Sequence, residues 1–224
     1  VENVKMRDGK FLLSLNENGL RGEVDTDALV LATPAYEASA ALRTLDSSLA
    51  EALSAIPYSP ISVVALGYEQ AGLGNPLDGF GFLIPRGEKR IILGALWDSS
   101  VFPNRAPQGK ALIRAMVGGV RNPELAALPA GELIALTRAE LKATMGIDAT
   151  PMLARTFFHE KGIPQYLVGH GNVLERIDAR LGAIPGLYLN SNAYRGIALN
   201  DCVLQSRLTA GRIAKELYTS SARR

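Results

Sequence analysis

Leu187-Tyr188-Leu189-Asn190-Ser191-Asn192-Ala193-Tyr194-Arg195-Gly196-Ile197-Ala198-Leu199-Asn200-Asp201-Cys202 is the stretch on which the reading of this chain turns. It opens as a short buried strand, continues through small and polar residues, and runs into a helical pattern predicted over 200–218. Leu199, Val203, Ala210, Ala214 and Leu217 fall on one apolar stripe of that helix, with Gln205, Arg212, Lys215 and Glu216 largely outside it. A strand feeding a short loop and then a helix leaves the first helical amides without intrahelical partners. The backbone N–H groups of Ile197, Ala198 and Leu199 are therefore candidate donors to an anionic or hydrogen-bonding cofactor group. A plain strand-to-helix turn has the same local pattern, and physics alone does not separate the two.

Working outward, Asp27-Ala28-Leu29-Val30-Leu31-Ala32 is a second continuous apolar run, as expected of a strand covered on both faces, and Thr33-Pro34 stops it. Before it, Val1, Val4 and Met6 lead to Asp8-Gly9, and Phe11, Leu13 and Leu15 lead to Asn18-Gly19, which predicts a meander of short strands. An alanine-rich helix is expected over 36–45, and Ser48-Leu49-Ala50-Glu51 fits a capping box opening a second helix that Pro57 and Pro60 end. Strands are predicted over 61–68, 79–85, 90–97 and 111–117 with no helix between them, which argues for an antiparallel sheet. A helix over 129–145 closed by Gly146, a strand over 152–158 and a charged helix over 172–181 complete the pattern. The fold class is α/β, more closely α+β.

Composition excludes several function classes. The 224 residues carry 24 Lys+Arg against 22 Asp+Glu, a formal charge of +2, so the basic stripe of a dedicated nucleic-acid binder is not expected. A mean hydropathy of +0.09 and 47% hydrophobic residues describe a globular chain rather than a disordered one. The single cysteine, Cys202, precludes an intrachain disulfide and makes a reducing, cytoplasmic compartment the default. Two histidines and one cysteine make a metal site a poor expectation. Apolar stretches are strand-sized, short of the roughly 20 residues that span a bilayer. Val1-Glu2-Asn3-Val4-Lys5-Met6 reads as the start of a piece of a longer chain, or of a proteolytically matured one.

Other motifs carry little chemistry. Gly72-Leu73-Gly74 and Gly79-Phe80-Gly81 lack the third glycine and the following helix of a dinucleotide fingerprint, and read as turns in the sheet. His159 and His170 have no serine, cysteine or aspartate in a triad relation and read as loop or strand-end histidines, while Cys202 reads as a small buried residue. No catalytic side chain is predicted.

The segment from Asn192 to Cys202 resembles the C-terminal flavin-binding segment of the protoporphyrinogen oxidases, within the flavin-containing amine oxidase superfamily. Ile163-Pro164-Gln165-Tyr166-Leu167-Val168-Gly169-His170 is similar to that family's Pro-Gln-Tyr motif. Gly79-Phe80-Gly81-Phe82-Leu83-Ile84-Pro85, the stretch from Leu93 to Pro103, and Met116-Val117-Gly118-Gly119 match as well, in order. The resemblance implies an FAD-dependent oxidase that removes six electrons from a porphyrinogen, the flavin carrying the hydrides and the protein supplying orientation and an apolar pocket.

It further implies that the chain is the C-terminal half of such an enzyme. Residues 1–34 and 185–224 are then returning parts of the FAD-binding domain, 57–184 the substrate-binding domain and 35–56 a helical connection. Val1 matches a position whose backbone reaches the adenine, and Asn192, Ile197, Ala198 and Leu199 match positions that approach the flavin and its ribityl phosphate. Gly81, Leu83 and Met116 match positions lining the tetrapyrrole pocket. His159 stands where many superfamily members carry tryptophan. The partners implied are a porphyrinogen, no nucleic acid, a membrane met peripherally through the preceding half, and further copies of the chain itself. The alternatives are a related amine oxidase or desaturase, and a flavin-free porphyrin-binding domain.

Overall fold

Asp8-Gly9 and Asn18-Gly19 all take positive φ, at 52° and 77° and at 52° and 87°, the backbone that two-residue hairpin turns of the primed type require. They fold β1 (Asn3–Arg7), β2 (Lys10–Glu17) and β3 (Leu20–Thr26) into an antiparallel meander, with Val4 opposite Leu13 and Phe11 opposite Thr26. Only a narrow face of this meander is buried, through Val4, Phe11 and Leu12.

β4 (Leu29–Leu31) pairs in parallel with β10 (Leu187–Leu189), Leu29 opposite Leu187. Leu29 and Leu31 are buried, but Val30 is 41% exposed. The continuous apolar run is thus covered on one face only, and among the described residues β4 has β10 as its single strand neighbour. α1 (Ala35–Leu42) and α2 (Ser47–Ser54) follow. Asp46, rather than Ser48, caps α2: its side chain accepts from Leu49 N–H at 2.8 Å. The carboxylate that serves as cap also takes Arg180 Nε at 3.0 Å, which ties α2 to α5 (His170–Gly182). α6 (Leu199–Ser221) ends the described chain, which the computed structural model covers over residues 1–221.

The chain divides into two compact units, 58–163 and the remainder, residues 1–57 with 164 onward. The inserted unit closes at Ile163. The Asp46–Arg180 contact joins α5 to α2 inside the discontinuous unit.

Within 58–163 lie β5 (Tyr58–Glu69), β6 (Gly81–Leu83), β7 (Ile92–Leu96), α3 (Asp98–Val101), β8 (Lys110–Gly118), α4 (Ala130–Met145) and the body of β9 (Leu153–Pro164). The sheet order is β6-β7-β8-β5-β9, antiparallel among β5, β6, β7 and β8. Strand alternation sorts its two faces. Ala111, Ile113, Ala115 and Val117 of β8, with Val64, Leu66 and Tyr68 of β5, build a buried core with Leu133, Leu141 and Ile147. Burial pushes the Tyr68 hydroxyl up to about 12. Gly146, at φ 72°, ends α4 with its N–H on the carbonyls of Leu141 and Lys142, the left-handed cap that glycine takes at least cost. The opposite face, carrying Leu112, Arg114 and Met116, stays half-buried.

The inward face of α6 differs from expectation. Cys202, Gln205, Thr209 and Ile213 are its buried or half-buried positions. Leu199 (79%), Val203 (61%) and Leu217 (45%) of the apolar stripe are exposed. Polar contacts fix this rotation: Asn190 Nδ2 donates to Ser206 Oγ at 2.7 Å, and the Tyr188 hydroxyl donates to Glu216.

Candidate functional site

The loop between β10 and α6 lies in the discontinuous unit and ends where Cys202 N–H bonds the Ala198 carbonyl at 3.0 Å. Ala198 is therefore the cap residue, and the amides that follow, from Leu199, open the helix without intrahelical acceptors. Ile197 is 47% exposed, and Ala198 is exposed as well. Gly196, at φ 84°, admits no side chain, because a Cβ there would meet Asp201 Cβ at 2.2 Å. Asp201 thus occupies one side of the helix end, where its charge suits the positive end of the dipole.

Two side chains outside the loop clamp it. The Tyr166 hydroxyl donates to the Asn192 carbonyl at 2.7 Å. The Tyr166 and His170 rings stack at 4.1 Å and 15°, and His170 Nε2 lies 3.4 Å from the Tyr194 carbonyl. His170 opens α5 rather than sitting in a loop. Asn192 and residues 197–199 lie on the same segment between β10 and α6. Val1, 60% exposed, precedes β1, an edge strand of the meander. Cys202 is half-buried, its Sγ 3.6 Å from the Gly196 carbonyl.

A cavity of about 780 Å³ borders this region between α5, β10 and α6. Charged and polar side chains pair within its lining: Tyr188 with Glu216, Arg212 over the Tyr188 ring at 5.9 Å, and Arg195 with Asp178. Burial, followed by the Glu216 contact, pushes the Tyr188 hydroxyl up to about 12.

In the inserted unit, strand register gathers the remaining candidates. Leu83 faces Gly94, Gly94 faces Met116, and Met116 faces Val63. Gly81 faces Leu96, Leu96 faces Arg114, and Arg114 faces Ala65. Directly opposed residues share a face, so Gly81, Leu83 and Met116 lie in two adjacent rows of one open, largely apolar face. Leu83 is 74% exposed and Met116 half-buried. Neither glycine has room for a side chain against the neighbouring strand: a Cβ on Gly81 would sit 2.1 Å from the Ala95 carbonyl oxygen, and one on Gly94 would sit 2.3 Å from that of Phe82.

The sequence reading missed Arg114, the charged side chain in these rows. Its Nη2 donates to Asp98 at 2.9 Å. The two-residue alternation Leu112, Arg114, Met116 carried the signal, since it puts an arginine on the same face as Met116. His159 lies inside β9 rather than beyond a strand, and lines a cavity of about 350 Å³ with Arg114 and Asp98. Among the described residues no group of three or more His, Cys, Asp or Glu is placed to hold a metal ion, and no helix is long and apolar enough to cross a membrane.

Comparisons with known proteins agree in kind. The chloroplastic protoporphyrinogen oxidase of Nicotiana tabacum is 33% identical over 186 residues, covering 79% of this chain and 34% of that protein. Coproporphyrinogen III oxidase of Bacillus subtilis is 29% identical over 193 residues, covering 85% of this chain and 40% of that protein. The crystal structure of an Exiguobacterium protein assigned as a protoporphyrinogen oxidase superposes with a TM-score of 0.76 at 25% identity, covering 96% of this chain and 46% of that one. The chain therefore spans less than half the length of these relatives. The model of the family described as flavin containing amine oxidoreductase matches residues 1–214. With a mixed α/β fold of antiparallel sheet and helices that the Exiguobacterium structure shares, the chain belongs to the flavin containing amine oxidoreductase family.

Proposed function

We propose that this chain is the C-terminal part of an FAD-dependent porphyrinogen oxidase of haem biosynthesis, which converts protoporphyrinogen or coproporphyrinogen to the porphyrin with oxygen as acceptor. The observation that carries the reading is the start of α6: the amides of the exposed residues Leu199, Asn200 and Asp201, ahead of the first helical bond, behind a cap as small as Ala198. That backbone fits a flavin and its ribityl phosphate, because helix-end donors favour anionic and hydrogen-bonding groups. Bound FAD supplies hydride acceptance. The chain supplies position: Asn192 and Ile197–Leu199 hold the flavin, Tyr166 fixes the Asn192 backbone, and the Val1 backbone reaches toward the adenine.

In this reading 1–34 and 185–224 are returning parts of the FAD-binding domain and 57–184 is the substrate-binding region. Gly81, Leu83 and Met116 orient the tetrapyrrole on an apolar face that excludes water. Gly81 and Gly94 present no side chain to the ring on that face. Peripheral membrane association is assigned to segments outside this chain.

The test compares the 224-residue chain with a longer protein that also contains a Gly-rich βαβ unit. The short chain is expected to purify colourless and inactive. The longer protein should purify yellow and generate porphyrin fluorescence from porphyrinogen. Ala198→Glu in the longer protein should abolish flavin retention through bulk and charge, whereas Ala198→Ser, a better helix cap, should keep it. Wild-type flavin content in Ala198→Glu, or stoichiometric flavin at micromolar affinity in the short chain, would overturn the assignment.

A further inference from the structure

We propose that Arg114 is a carboxylate anchor on the open face of the five-stranded sheet, oriented by Asp98 to take the acidic side arm of a flat apolar substrate. The inference rests on the porphyrinogen reading for the identity of the ring, but its own grounds are geometric.

Arg114 sits between Leu96 and Ala65 in one row, beside Met116 and Val63 in the next. An arginine amid apolar neighbours on a half-buried face loses hydration, so its donors need partners. Asp98 supplies one. It is itself 7% exposed, and its Oδ1 accepts from Nη2 at 2.9 Å. Arg114 Nε is buried with no hydrogen-bond partner among the described residues, while 41% of the side chain remains exposed. The guanidinium is therefore held in direction without being used up. A planar fork with donors to spare matches a carboxylate better than a point charge does.

Charge and shape agree with that ligand. The cavity beside Arg114 measures about 350 Å³ and is lined by Val63, Ala65, Leu112 and Phe157, with Arg105 and His159 among its polar members. Arg105 and Arg114 against Asp98 leave an excess of one positive charge at the site even with His159 neutral. Arg105 is itself propped over the Phe102 ring at 5.5 Å, at the same cavity. The volume suits an acidic arm and the ring that bears it, with the rest of a larger ring lying along the rows toward Met116 and Leu83.

The experiment titrates the 224-residue chain with coproporphyrin III and with its tetramethyl ester, in one mild detergent buffer, following porphyrin fluorescence. Wild type should bind the acid about ten-fold or more tightly than the ester, the scale of one charged hydrogen-bonded contact. Arg114→Met should erase that preference while leaving ester binding unchanged. Arg114→Lys should retain part of it, and it replaces the Met variant as the deciding protein if that variant fails to fold. An acid preference equal to wild type in the deciding variant, no preference in wild type, or no binding of either porphyrin overturns the anchor. Porphyrinogen oxidation by the longer protein alongside an unaltered Arg114→Met preference removes the anchor and leaves the oxidase reading standing. An acid preference lost in Arg114→Met, with no porphyrinogen oxidised by the longer protein, upholds the anchor and removes the oxidase reading.

Discussion

Replacing Gly81 with alanine tests whether the open face depends on close backbone approach. Gly81 takes φ 129°, where L side chains are strained, and its missing Cβ position lies 2.1 Å from the Ala95 oxygen and 2.8 Å from Leu96 Cα. Both obstacles are backbone of the neighbouring strand, so no rotamer change relieves them. Strain at such a φ is worth roughly 1–3 kcal/mol. The alternative is to release β6, which forfeits the pairing of Gly81–Leu83 with β7 at about 1 kcal/mol per hydrogen bond. The cheaper route sets the result, so destabilisation of about 2–3 kcal/mol is expected, capped by detachment of this three-residue edge strand. Urea unfolding gives the free energy, and hydrogen exchange gives the location. Ile84 N–H, 2.9 Å from the Leu93 carbonyl, and Trp97 N–H, 2.9 Å from the Phe80 carbonyl, flank β6 and should lose protection. Amides between β5 and β8 should keep theirs. Gly87→Ala is the control, since its Cβ would meet nothing within 4 Å, and a surface change of this kind stays within about 0.5 kcal/mol. A Gly81→Ala protein with the wild-type urea midpoint and full protection at Ile84 and Trp97 would refute the reasoning.

Burial raises the Asp46 carboxyl, but the hydrogen bonds from Arg180 and from the Leu49 amide outweigh it and hold the group below its ordinary value. Its contribution is thus present above the unfolded value near 3.9 and is lost as pH falls through the lower folded value; urea midpoints of Asp46→Asn should accordingly fall less with acid than those of wild type, and parallel curves would count against the pairing. Tyr68 and Tyr188 titrate at about 12 in the folded chain, so their contribution is complete below about 10 and disappears between there and 12; Tyr68→Phe should flatten the alkaline loss in stability, and an unchanged slope would contradict the burial account. The isolated chain should self-associate in light scattering through exposed Leu199, Val203, Leu204 and Leu208 of α6, and a monomer at high concentration would show that these residues find cover elsewhere.

What the sequence made legible was what local chemistry decides. Asp8-Gly9 and Asn18-Gly19 admit few backbones besides a tight hairpin turn, and both turns form with positive φ. Gly146 likewise announces the end of α4. The strand 187–189 was bounded correctly because Pro185-Gly186 precedes it and the small-residue loop follows. The cap of α2 failed for a physical reason. Ser48 is the residue the local pattern offers, whereas Asp46 takes the cap, its carboxylate held also by the guanidinium of Arg180, 134 residues away. A local pattern cannot weigh a partner of that kind.

The candidate site divides along the same line. The amides at the start of α6 were readable because they are backbone, and any helix opening after a short loop presents them. The rotation of α6 was not readable, since its apolar stripe suggested an inward face and Asn190–Ser206 and Tyr188–Glu216 select another. The open sheet face lies between these extremes. Alternation along β8 already put Arg114 and Met116 on one side, but only register shows that Leu96 and Ala65 flank the guanidinium and that Gly81 and Gly94 lie in these rows. Register in turn is set by burial of the other face, where Ile113 and Val117 are fully enclosed, because a one-residue slip would exchange the two faces. The buried core thus holds an arginine in an apolar row, and the same packing that stabilises the sheet fixes the position of the proposed carboxylate anchor.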